Sequence, residues 1–129
     1  MLNLNVNTII SVYSSPVDMR KSFNGLIGIV RHFLNGDPLS GQLFVFLNKS
    51  HNLIKILYWD GDGYVIWYKR LERGTFRLPT SNNDAASFTV SRSEFAMILE
   101  GFEPAILNKR KRFVPSQKFL QKNPDFRPN

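Results

Sequence analysis

The sequence predicts an α+β domain: a small antiparallel β-meander with two packed helices, followed by a basic C-terminal tail. Three observations carry that prediction. Residues 42–70 hold three β-branched and aromatic runs separated by short turn signals. Segments 18–36 and 91–101 carry the apolar spacing and end signals of helices. Charge is divided unevenly: of the net +7, residues from Pro104 onward contribute +6, with seven basic residues against Asp125, leaving +1 for residues 1–103. This division predicts one globular domain over 1–103 and a basic, flexible tail over 104–129.

"TIISVYS" (8–14) reads as a short strand ended by Ser15-Pro16. "DMRKSFNGLIGIVRHFLNG" (18–36) reads as a helix whose core face holds Met19, Phe23, Leu26, Ile27, Val30, Phe33 and Leu34. Asp18 fits its N-cap and Gly36 its stop. Gly25 and Gly28 each cost such a helix about 1 kcal/mol relative to alanine, unless they let it lie close to the sheet. "DPLSG" (37–41) is a turn. "QLFVFLN" (42–48), "LIKILYW" (53–59) and "YVIWYKR" (64–70) form the meander, joined by "KSHN" and "DGDG". "TFRLP" (75–79) reads as a short fourth strand and "FTV" (88–90) as an edge strand. Ser91 and Glu94 form a capping box opening a second helix that ends at Gly101.

The "DGDG" junction holds the sharpest chemical question. Asp60 and Asp62 lie one residue apart inside a ring of aromatics. Asp-Gly between apolar strands is a hairpin signal, because both residues tolerate positive φ. The competing reading is a metal site supporting a metal-dependent nuclease. A calcium loop needs ligands at alternate positions over about twelve residues, whereas this run stops at Gly63. A two-metal site needs further carboxylates, and the remaining acids fall mostly at caps, turns and helix surfaces. The loop is either Gly61-Asp62 or Asp60–Gly63. Both pair Trp59 with Tyr64, place Lys55 opposite Tyr68 and set Arg70 opposite Leu53.

Composition excludes other classes. No cysteine is present, so there is no disulfide framework or thiolate metal site. His32 and His51 lack acidic neighbours at ligand spacing, and no glycine-rich phosphate loop occurs. The N-terminus lacks a signal-peptide pattern, and no apolar run approaches the ~20 residues of a membrane span. A soluble, cytoplasmic protein with no membrane contact is expected. Basic residues interleaved with aromatics on strands read either as a single-strand nucleic-acid surface or as a two-sided core whose lysines reach to its edges. "KRKR" (109–112) is a run of four cations that repel one another without an anionic partner.

Three segments, "PVDMRKSFNGL" (16–26), "PLSGQLFVF" (38–46) and "IKILYWDGDGYVIWYKRLERGTF" (54–76), closely resemble the TnpB (Orf2) accessory proteins of the IS66 transposon family. The likeness covers roughly residues 9–103. It implies a small bacterial protein encoded in an insertion sequence beside a larger transposase, and aiding transposition. The strand-cleaving chemistry would belong to that transposase, and no catalytic residues carry over. The chain departs from the family pattern at Asn24 (often Asp), at the 47–52 loop (often strongly basic, here only Lys49) and at Leu78 (often Trp). The depleted loop shifts the expected phosphate contacts to the tail.

The expected function is therefore a non-enzymatic accessory factor, with no cofactor or metal, whose partners are the transposase and the DNA of transposon ends. Lys109, Arg110, Lys111 and Arg112 are the first candidates for DNA contact, and Arg20, Lys21, Lys69, Arg70 and Arg73 the second. In the alternative, the protein docks the transposase without touching DNA. Trp59, Tyr64, Trp67 and Tyr68 are the candidates for protein contact.

Overall fold

The computed structural model of the chain describes residues 4–79 and 84–101. The elements run β1 (Ile10–Tyr13), α1 (Phe23–Phe33), β2 (Leu43–Leu47), β3 (Leu53–Trp59), β4 (Tyr64–Arg70), β5 (Ser87–Val90) and α2 (Arg92–Glu100). The five strands form one sheet in the order β4-β3-β2-β1-β5. The α+β class holds, and β2, β3 and β4 are consecutive antiparallel neighbours. The sheet as a whole is mixed, however, not antiparallel. α1 carries the chain back to the starting end, so β2 lies parallel to β1, with Ile10 opposite Leu43. β5 closes the far edge antiparallel to β1.

Side-chain alternation sends two apolar sets to opposite faces. On one face Phe44, Phe46 and Leu57 meet Leu26, Ile27, Ile29 and Val30 of α1. On the other, Val12, Val45, Ile54 and Ile56 meet Phe95 and Ile98 of α2. The central strand β2 is buried along its whole length, so it reads as a continuous apolar run with no alternation. α2 begins as expected. Ser91 Oγ accepts the Glu94 N–H at 3.1 Å, and Glu94 Oε1 accepts the Ser91 N–H at 2.8 Å.

Three local expectations need correction. α1 begins at Phe23 with Ser22 at its N-cap and no side-chain cap bond; Asp18 is occupied by Arg20. Phe23 and Phe33, assigned to the core face, are 43% and 61% exposed, because they are the first and last residues of the helix. Periodicity places a residue on a face but not over the sheet. "TFRLP" is not a strand: beyond a single bridge at Thr75, its hold is the Phe76 N–H donated to His51 O at 2.7 Å.

The turn after α1 uses Asn35 in the left-handed region, φ 49°, a conformation asparagine tolerates. Gly36 serves close approach: a Cβ there would lie 3.2 Å from Val30 and 3.3 Å from Phe44. Gly25 and Gly28 do not bring α1 to the sheet. A Cβ on Gly25 would meet Lys21 at 3.1 Å, and one on Gly28 would meet nothing within 4 Å. Gly28→Ala is thus expected to stabilise the fold by about 0.5–1 kcal/mol in urea unfolding. A loss of stability would reveal a contact that this geometry lacks.

Candidate nucleic-acid interface

The site is organised by a buried cation. Lys55, on β3, is only 7% exposed. Its Nζ donates to Met19 O at 2.9 Å and Lys21 O at 2.7 Å. It also stands 4.7 Å from the ring centroid of Tyr68, its cross-strand partner on β4. An ammonium taken from water must find hydrogen-bond acceptors, and here two loop carbonyls supply them while an aromatic face adds its own attraction for the cation. The result fixes the 18–22 loop against the α1 side of the sheet. This tie replaces the helical turn expected at Asp18.

Asp18 is used within the same loop. Its carboxylate accepts the Arg20 N–H at 2.9 Å and the Arg20 guanidinium at 2.6 Å. The side-chain and backbone hydrogen bonds from Arg20 hold the Asp18 carboxyl at about 2, below its ordinary 3.8. The stabilisation this confers is present above pH 3.8 and is lost as pH falls through about 2. Arg70 is similarly paired to Glu72 at 2.9 Å. Both pairs are solvent-exposed, so exchanging a carboxylate for a phosphate costs these arginines little.

The second set of candidates is brought together. β1, β2 and β4 finish at one end of the sheet, where β3 and β5 start. The loop bearing Arg20 and Lys21 follows β1 at this end. Lys69 and Arg70 close β4 there, and Arg73 follows. Lys69 Nζ donates to Leu99 O at 3.0 Å, which pins the last turn of α2 to the same place. Lys109, Arg110, Lys111 and Arg112 lie outside the described residues.

The protein-contact candidates are divided. Trp59 and Tyr64 meet edge to face with centroids 5.1 Å apart, and Tyr68 shares their side of the sheet. Trp67 faces the other way and packs into the α2-side cluster. Tyr68 is 50% exposed on a strand at the edge of the sheet.

Asp60 and Asp62 form the four-residue corner Asp60–Gly63. The Asp60 N–H donates to Gly63 O at 3.0 Å, and Gly61 turns the chain at φ 106°. Both aspartates are exposed, at the end of the sheet opposite the basic residues. Among the described residues, no three His, Asp or Glu side chains gather as a metal would need. No helix among them is long and apolar enough to cross a membrane.

Lys55 was visible in the sequence only as a strand lysine opposite Tyr68. Its apolar same-face neighbours, Leu57 along the strand and Phe46 across from it, were the signal that it needed internal partners.

Known proteins are similar to this chain over most of its length. The family described as IS66 Orf2 like protein matches residues 8–109. The chain belongs to that family. Among its relatives is the uncharacterized protein y4jC of Sinorhizobium fredii (strain NBRC 101917 / NGR234), 36% identical over 94 residues, covering 73% of this chain and 79% of the relative. The uncharacterized protein y4hO of the same strain is 33% identical over 103 residues, covering 80% and 88%. No solved structure matches significantly. Membership of the IS66 Orf2-like family associates the chain with transposition of IS66-type insertion sequences, in an accessory role.

Proposed function

We propose that this IS66 Orf2-like protein is a non-enzymatic accessory factor that works with the element's transposase and contacts the DNA of transposon ends through its basic residues. The observation that supports this most is the convergence of Arg20, Lys21, Lys69, Arg70 and Arg73 on the end of the sheet where α2 finishes. Lys109 follows Gly101 by eight residues, so the tail cations begin no more than about 30 Å from that end. Such contacts are sequence-independent and salt-sensitive, because they act by releasing counterions from phosphates. Removing residues 105–129 is expected to abolish most duplex binding at low salt while leaving the far-ultraviolet circular dichroism of the domain unchanged. A truncated protein that binds as well as the full chain sinks the assignment to the tail.

The half-exposed Tyr68 on an edge strand supports a second reading, in which the protein docks the transposase without touching DNA. Under it, transposase capture survives deletion of the tail and fails with Tyr68→Ala in a folded variant.

A further inference from the structure

The near-neutrality of residues 1–103 conceals a separation of charge along the strands. Two more cations join those already placed at the basic end. Lys49 lies in the β2–β3 turn, and Arg77 follows Phe76, whose N–H is bonded to His51 in that turn. With Lys55, the basic side chains here exceed Asp18, Glu72, Asp84 and Glu100 by four charges. At the opposite end Arg31 and Arg92 are outnumbered by Asp37, Asp60, Asp62 and Glu94, an excess of two negative charges. The described domain is therefore bipolar.

We propose that the globular domain adds a contact of its own to the tail's, meeting duplex DNA end-on, its basic end spanning a groove and contacting phosphates on both sides, with the Asp60–Gly63 hairpin pointing away. The inference rests on the DNA-binding reading above and adds to it the surface, the orientation and the form of the nucleic acid. The cations sit over β2, β3 and β4, whose spacing of about 4.8 Å spreads their backbones over roughly 10 Å, close to the ~12 Å width of the major groove. They also occupy both layers: the Arg20–Lys21 loop lies on the α1 side and Lys69 on the α2 side. A single strand needs one continuous track with stacking platforms, whereas phosphates across a groove require separated cations of this kind. The acidic end is repelled by the same phosphates, so the field of the molecule orients it during approach.

The test uses the full chain and two double variants of equal net charge, read by fluorescence anisotropy at low salt with a duplex and a single strand of the same length. Lys21→Glu with Lys49→Glu, both exposed side chains, is expected to weaken duplex binding at least tenfold. It should also lower the slope of log K against log salt by about two, one for each phosphate no longer neutralised. Arg31→Glu with Arg92→Glu should change duplex affinity less than threefold. The corresponding Lys21→Gln and Lys49→Gln pair should give an intermediate loss, which separates charge from misfolding. Equal losses from the two glutamate pairs would overturn the end-on surface, and tighter binding to the single strand would overturn the groove-spanning geometry. If the unaltered chain binds neither nucleic acid, the DNA-binding reading itself falls, an outcome distinct from both.

Discussion

Lys55→Met is expected to lower the unfolding free energy by about 2–3 kcal/mol and to loosen the 18–22 loop. Methionine matches the aliphatic stem, so the change removes the ammonium while largely conserving volume. Met19 O and Lys21 O then lose the donor that reaches them at 2.9 and 2.7 Å. Hydrogen bonds to charged groups contribute roughly 1.5–3 kcal/mol each, while relief from burying a charge offsets part of the loss. Two measurements check this. Urea unfolding gives the stability, and limited trypsinolysis reports the loop, because Arg20 and Lys21 are its natural cleavage sites. Faster cleavage at these residues is expected under native conditions. An unchanged rate would show that the loop holds its shape without the ammonium. For a domain whose total stability is of order 5–15 kcal/mol, this one amine is a substantial component.

Phe76→Ala is expected to be costlier still, about 3–5 kcal/mol in the same unfolding measurement. Phe76 is 0% exposed and lies in the cluster formed with α2. Its N–H is satisfied by His51 O, and the neighbouring Leu71 N–H by Asn52 O at 2.9 Å. The segment after β4 is thus seated on the β2–β3 turn by two backbone bonds and one ring. A loss below about 1 kcal/mol would mean that the surrounding core collapses around the missing ring. Because the same seat places Arg73 and Arg77, the variant should also weaken DNA binding if the basic end is the contact surface.

Local chemistry made the β3–β4 hairpin fully legible. Asp-Gly turn residues fixed the loop within two choices, both of which gave the same register. All seven cross-strand pairs from Trp59–Tyr64 to Leu53–Arg70 follow from it. The capping box of α2 was equally visible, since Ser91 and Glu94 need only each other. What sequence spacing missed depends on partners far along the chain. Asp18 looks like an N-cap until Lys55 takes the carbonyls that a helical turn would use. The neighbour of β1 is decided by the path of α1, so an antiparallel expectation became a mixed sheet. The extended reading of "TFRLP" recognised Thr75 and Phe76 as β-formers, but beyond the single bridge at Thr75 the segment is held at the β2–β3 turn through His51 O and does not pair along a strand.

The candidate site divides in the same way. The basic and aromatic side chains were identifiable individually, and the net charge of +1 for residues 1–103 gave no reason to look for a field. Strand direction supplies that reason. Each turn carries its own few charges, and the alternation of strands collects them at two ends of opposite sign.

The position of β1 has a consequence for how the chain is made. β1 is synthesised before both of its sheet neighbours, yet it ends inside the sheet, between β2 and β5. Its partners on the β5 side lie about eighty residues later, as in Ile10 with Val90. The local β2–β4 hairpins can close early, but β1 keeps one side of bare amides and carbonyls until β5 has been made. A ribosome that stops before Ser87 therefore releases a sheet with an apolar strand as its open edge. Completion of β5 and α2 is what converts that adhesive intermediate into a closed domain.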